Sequence, residues 1–418
     1  MMETITEIEK RIPVVNKVDV LVCGGGVAGF AAAYSAARNG ARVLLIERYG
    51  FLGGLVTGGL VITVPLMNNG INIELREKLE NVGAYKDCNN RGKDNHDIEK
   101  AIDPEVFKYQ LTRLLVEQNV NLLLHTYIAQ TIVEDNTIKG VIIENKAGRQ
   151  AILANIVVDA TGDADITAFS EAPFEIEKTP LPMTMMFNMA DVDTEKALLK
   201  IGSWNNLRKF VGEAIEKGEF NFDLGINPEY NAPGVYAANL CYPGELNVWG
   251  GSIFGLNALN PEELTKAEIV SRDHVMRLAI FLKKNLQGFE NSRIEYTATN
   301  VGVRETRKIT GIISPSMAEI KNKKFNDTVA KPYTNSEMRV PYRSLLPQGV
   351  ENLIVAGRCI SAQHDAMVQL RIIPACLVTG QAAGTAAALA LKENTTPRQL
   401  DVSIIQKTVT DQLMDLGM

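Results

Sequence analysis

Apolar and polar positions divide the chain into three textures. In the first, residues 18–23 form a short apolar run that stops at glycines, which predicts a strand buried on both faces. Residues 28–39 are alanine-rich and helical, with Gly40 where a C-terminal cap belongs, and residues 42–47 return to strand. Residues 48–59 are glycine-rich and predict irregular chain. Asp103-Pro104-Glu105 opens another helix, with Asp103 as N-cap and Pro104 in the first turn. Its apolar positions Val106, Phe107, Leu111, Leu114 and Leu115 follow the helical period. Strands are expected at 121–125, 131–133, 140–144 and 151–159. Turns at Asp135-Asn136 and Ala147-Gly148 suggest a small antiparallel piece among them.

From about Glu175 the texture changes. Residues 183–187 read as a strand, 194–217 as a charged helical stretch, 219–251 as Gly/Asn/Pro-rich loops and 261–286 as one long amphipathic helix. Near Val350 the first texture returns, with a strand at 353–356, Gly357, and a glycine- and alanine-rich helix after Pro374. The expected domains are 1–174, 175–345 and 346–418. The outer two form one Rossmann-like α/β unit, a parallel sheet with an antiparallel crossover piece, and the middle is an inserted α+β substrate domain.

The strongest local signal is Gly24-x-Gly26-x-x-Gly29, which follows a strand, opens a helix and is answered by Glu47. In such a unit Gly24 permits the tight turn, Gly26 lets backbone approach a pyrophosphate, and Gly29 lets helix and strand pack closely. The helix N-terminus presents N–H groups to the phosphates, and Glu47 is placed to accept ribose hydroxyls. Either FAD or NAD is served by this unit alone.

Composition narrows the setting. The 418 residues carry a net charge of −6 without a Lys/Arg run, which argues against nucleic acid as a partner. Five scattered cysteines without a CxxC pair suggest a reducing compartment and neither a zinc ribbon nor a redox dithiol. The N-terminal residues lack a signal peptide's order. The apolar stretch 372–391 is interrupted by Pro374, Thr379, Gly380, Gln381 and Gly384, which favours a buried helix over a membrane span. A cytoplasmic protein with no membrane partner is expected. A homo-oligomer or a separate electron-transfer partner is left open.

Further segments decide the cofactor. These are FLGG with Gly53 and Gly54, IDPEVFKYQL, VVDATGDAD with Thr161, Gly162 and Asp163, VGVRETRKITG, NLIVAGRCISAQHDA with Gly357 and Arg358, and RIIPACLVTGQAAGTAAALA. Together with VDVLVCGGGVAGFAAAYSAARNGARVLLIER they resemble the FAD-dependent oxidoreductase family within the glutathione-reductase-like FAD superfamily. The resemblance spans nearly the whole chain and is weakest in the middle third. It implies FAD as cofactor, held by Gly24, Gly26, Gly29, Glu47, Arg48, Gly53, Gly54, Ile128, Thr161, Gly162, Asp163, Gly357, Arg358 and Ile373. It also implies that Gly357 and the Pro374 helix close over the flavin. Where family members often carry Ser-x-Arg, this chain has Gln369-Leu370-Arg371.

Three residues are candidates for the chemistry. Arg371 precedes the Pro374 helix and is placed to add positive charge at the flavin edge that gathers negative charge on reduction. Arg304, or its neighbour Arg307 in Arg304-Glu305-Thr306-Arg307, suits an anionic substrate group or a carbonyl to be polarised, or else the two belong to an internal ion-pair network that pins the substrate domain to the FAD domain. His364, in a loop expected to face the flavin, is the candidate acid/base. His96, in Asp94-Asn95-His96-Asp97, reads as a solvated loop residue, and no metal site is expected. Cys359 lies near the expected flavin but lacks a resolving partner, and nothing signals covalent attachment. The expectation is hydride transfer between flavin N5 and a small organic substrate, with a carboxylate favoured. Nucleotide or cofactor modification on the same scaffold, or FAD binding without catalysis, are the alternatives.

Overall fold

The computed structural model describes residues 5, 9–88, 100–221, 226–227, 232–322 and 325–417. His96 lies outside them. The glycine-flanked run becomes the strand Val14–Cys23, whose last four residues are fully buried. It pairs in parallel with Val43–Ile46 on one side and with Gly148–Asp159 on the other, and Val43–Ile46 in turn carries Asn121–Leu123. Burial on both faces explains why these strands are nearly continuous in Val, Leu and Ile rather than alternating.

Gly148–Asp159 serves different partners along its length. Residues 148–153 run antiparallel to Thr137–Asn145, while 157–159 run parallel to Leu353–Val355. The expected antiparallel piece is therefore an extension of the main sheet, ending in Tyr127–Glu134. Asp135 and Asn136 have φ of 47° and 56°, the two positive values that a two-residue type I′ hairpin requires.

Helix Val27–Arg38 and helix Ile373–Lys392 pack together beside this sheet. A Cβ on Gly380 would stand 2.2 Å from Ala28 O, and one on Gly384 2.0 Å from Ala32 O. The small-residue spacing thus brings helix against helix. Ile373–Lys392 is the one described helix long and apolar enough to cross a membrane, and its apolar window is wholly buried in the core.

A second core has its own sheet, in the antiparallel order Val235–Asn239, Leu246–Gly250, Met186–Ala190, Arg293–Thr297. Helix Pro261–Asn285 lies on it, and Phe187, Trp204 and Phe289 fill the space between. This core takes in Leu60 and residues from Met183 to Val301, whereas Ile309, Ile320, Val329 and Val340 join the first.

Several elements differ from the sequence reading. The stretch 219–251 is not all loop but contains the hairpin Val235–Asn239 and Leu246–Gly250, whose strand pattern is masked by flanking glycines. The strand expected at 183–187 begins later, at Met186, because Met183 and Thr184 make isolated bridges to Ile253 and Gly302. The 194–217 stretch breaks at Gly202, φ 75°. His364 opens a short helix, His364–Leu370, rather than lying in a loop. Helix Ile71–Glu80 was not anticipated; its first N–H is held by Gln381 Oε1 at 2.8 Å.

Candidate functional site

The glycine loop is built by contacts that no side chain would permit. Gly24 has φ 103°, and a Cβ there would stand 2.5 Å from Ala160 O. A Cβ on Gly29 would stand 1.8 Å from Gly24 O. Gly26 differs: a Cβ there would meet nothing closer than Gly54 Cα at 3.9 Å, so its open side faces free space. Gly53 N–H donates to Gly25 O at 2.8 Å, which lays the second glycine pair against the first. Glu47 is buried, and its two oxygens accept from the Gly25 N–H at 2.6 Å and the Tyr49 N–H at 2.9 Å. A carboxylate has roughly four acceptor positions, so capacity for hydroxyl donors remains. Arg48 is exposed and lies over the Tyr49 ring, 4.9 Å from its centre.

Helix caps provide a test of whether a dinucleotide fits here. Helices Pro104–Glu117, Thr194–Ile201, Pro261–Asn285 and Val402–Asp411 are each closed by a side chain, from Asp103, Asp193, Asn260 and Asp401. Val27–Arg38 and Ile373–Lys392 are not: their N-caps are Gly26 and Ile372, with no side-chain bond and no acid in the first turn, a trait shared by the less buried Leu207–Glu216. The first two are otherwise mostly buried. Their free N–H groups need a partner, and an anion or electron-rich ring edge supplies one. The residues present fit the cofactor.

A second cluster joins the sheet to the VRETRK segment. Asp159 is fully buried and accepts from Thr161 N–H and Oγ1 and from Thr167 N–H and Oγ1. Burial outweighs these bonds and pushes its carboxyl up to about 6. Asp163 meets Arg358 at 2.9 Å and the Thr306 hydroxyl at 2.5 Å. Its burial opposes ionisation, but Arg358 and Thr306 prevail and hold the carboxyl below its usual range. Gly162 has φ 80°, with the Arg358 guanidinium against it, and Gly357 N–H donates to Thr379 Oγ1 at 3.2 Å. Ile128 is half-buried on the edge strand Tyr127–Glu134, whose chain contacts the short helix Asp165–Phe169.

The structure separates the two arginines of the VRETRK segment. Arg307 pairs with Asp165 at 2.5 Å and donates to Asp163 O at 2.8 Å, so it belongs to the internal network. Arg304 donates to Pro182 O and has no carboxylate partner among the described residues. Burial, then the neighbouring Arg371, pushes its guanidinium down to about 9, still protonated at neutral pH. Arg371 is also pushed down by burial, and its Nε is buried without a hydrogen-bond partner. Arg304 thus stands in the field of Arg371 and near Tyr236, Glu305 stands in the field of Arg371, and both arginines are half-buried.

His364 lies with Glu305, Nδ1 to Oε2 at 3.0 Å, and Glu177 stands 3.8 Å from the same nitrogen. The ligand atoms of these three lie within 4.8 Å of one another, but Lys308 Nζ, 3.4 Å from Glu305 and 4.0 Å from Glu177, already supplies positive charge. In the sequence Glu305 stands out only as the acid flanked by two arginines, and Thr306 and Asp159 carry no signal of their own inside their motifs. Their burial and partners come only from folding.

Comparison with known proteins gives the family and the cofactor. The FAD dependent oxidoreductase family matches residues 19–338 and 331–409. A thiamine thiazole synthase of Sulfolobus acidocaldarius is 30% identical over 169 residues, 36% of this chain and 57% of that protein. A digeranylgeranylglycerophospholipid reductase of the same organism is 24% identical over 242 residues, 53% of each chain. The chain therefore spans little more than half the length of these relatives. A geranylgeranyl bacteriochlorophyll reductase-like structure from Thermoplasma acidophilum superposes with a TM-score of 0.53 at 15% identity, covering 96% of this chain and 84% of that one. A flavin-dependent brominase gives 0.53 at 12%, covering 95% and 83%. These two likenesses are of fold.

Proposed function

The chain belongs to the FAD-dependent oxidoreductase family, and from that premise we propose that it moves a hydride between flavin and a small organic substrate bearing a carboxylate. Bound FAD supplies a ring that takes or gives a hydride at N5. The glycine loop and Glu47 would hold its adenosine half. Gly357, Arg358, Thr161–Asp163 and the Ile373 helix end would hold the remainder.

The observation that carries the substrate reading is the pair Arg304 and Arg371. A half-buried guanidinium with no carboxylate pair is costly, and the field of Arg371 adds to the cost at Arg304, so a ligand that brings negative charge would relieve it. A carboxylate between them would be bound by charge-assisted hydrogen bonds and fixed in orientation. Tyr236, in the field of Arg304 and edge-on to Trp249, offers an aromatic wall beside it. His364, near Arg371 in the chain, would take or return the proton that accompanies the hydride. Dehydrogenation of a C–H bond next to oxygen or nitrogen suits this arrangement, as does reduction of an activated C=C bond.

The test is spectral. Simple carboxylates added to the FAD-loaded protein should perturb the flavin bands near ~450 nm, and Arg304→Ala should weaken that binding at least about tenfold. The same half-saturation in the variant would rule out the arginine pair as the anion site.

A further inference from the structure

Glu305 is the innermost charged group of the VRETRK segment, its side chain fully buried. It is fixed from two directions: Leu181 N–H donates to Oε2 at 3.2 Å, and the Lys308 ammonium stands 3.4 Å from Oε1. What remains of the carboxylate faces His364 Nδ1, at 3.1 Å from one oxygen and 3.0 Å from the other. A ring nitrogen lone pair would be repelled at that distance, so the proton of the neutral imidazole belongs on Nδ1. The Nε2 then keeps its lone pair. The His364 ring is partly exposed, 38%, so that second nitrogen is not locked into the same network.

We propose that Glu305 is a positioning residue for His364. Its carboxylate holds the imidazole in the Nδ1–H tautomer, leaves Nε2 as the proton-accepting atom, and stabilises the imidazolium once it forms. Lys308 Nζ stands 3.4 Å from Glu305 and 4.0 Å from Glu177 and so offsets part of their negative charge. The proposal rests on the reading of His364 as the group that moves the proton. In the dehydrogenation direction a substrate O–H or N–H bond breaks, and its proton forms the Nε2–H bond. The freed electron pair makes the C=O or C=N bond, and the hydride leaves carbon for the flavin. A pair fixed in this way differs from a structural ion pair because it dictates which nitrogen is free.

The experiment uses the full FAD-loaded chain labelled with 15N and 13C at histidine. With four histidines in the sequence, His364 is assigned by the signal lost in His364→Ala. Ring nitrogen and Cδ2 shifts are read at about pH 9, where an ordinary imidazole is neutral. Wild type should show Nδ1–H, Glu305→Ala should move His364 to the ordinary Nε2–H form, and Glu305→Gln, which keeps an acceptor oxygen, should restore part of the Nδ1–H population. If Glu305→Ala does not fold because Lys308 is stranded, Glu305→Ala/Lys308→Met removes both charges and makes the same reading. An Nε2–H tautomer in wild type, or an unchanged tautomer without Glu305, overturns the proposal. Should His364→Ala accept reducing equivalents from an organic donor at an unchanged rate, the proton role itself is overturned, whatever the tautomer.

Discussion

The glycine loop and the arginine pair are finished in opposite ways. At the loop, backbone lies on backbone: Gly24 against Ala160, Gly29 against Gly24, Gly53 hydrogen-bonded to Gly25. Glu47 is satisfied by two N–H groups before any ligand arrives. At Arg304 and Arg371 the protein leaves positive charge half-buried and under-partnered. The loop is shaped by what sterics forbid, the arginine end by what electrostatics leaves unfinished. A rigid cradle suits a permanent cofactor, and an unfinished charge suits a ligand that comes and goes.

Loading the rigid side breaks the comparison most severely. In Gly29→Val the new Cβ would stand 1.8 Å from Gly24 O, a distance that no rotamer relieves. The expected outcome is protein that retains no FAD and is destabilised by more than about 3 kcal/mol, read by the flavin spectrum and by denaturant unfolding.

An intermediate effect belongs to Asp159, buried where sheet and loop meet, with its carboxyl raised to about 6 in the folded state. A raised carboxyl binds its proton more tightly folded than unfolded. Its contribution to stability is therefore fully present below about pH 4 and lost as pH rises through 6, amounting to about 2–3 kcal/mol. Denaturant titrations between pH 4 and 7 should show that step, and Asp159→Asn, which cannot titrate, should lack it.

The smallest effect sharpens the other side. If Arg371 is retained for a ligand and not for the fold, then Arg371→Met should raise the unfolding free energy of the substrate-free protein by about 1–2 kcal/mol, while carboxylate binding falls. A variant that is less stable than wild type would show that Arg371 is held for structure.

The same contrast explains what the sequence disclosed. Gly24 and Gly29 were legible because a tight turn and a close backbone approach each demand glycine at fixed spacing, and Glu47 because it ends the next strand beside that loop. The capped helix at Asp103 and the hairpin at Asp135-Asn136 were legible for the same local reason. Arg304 and Arg307 were not separable, since four neighbouring residues of one segment point to different elements once folded. Glu305 reaches His364 across 59 positions, and Thr306 reaches Asp163 across 143. No local spacing encodes such pairings. The hairpin Val235–Asn239 and Leu246–Gly250 was hidden because glycines on its flanks carried the stronger signal.

The strand Gly148–Asp159 also sets an order of events. Its first half pairs with the hairpin just made, but 157–159 wait for Leu353–Val355, and helix Val27–Arg38 waits for Gly380 and Gly384. On a ribosome the chain therefore carries an open parallel edge through the synthesis of the second core, and closes it only once residues 353–355 have emerged. Sequence-distant pairing of this kind folds slowly and exposes unpaired backbone meanwhile. FAD capture is consequently a late event, and a nascent chain arrested before residue 353 should hold the glycine motif and yet remain colourless.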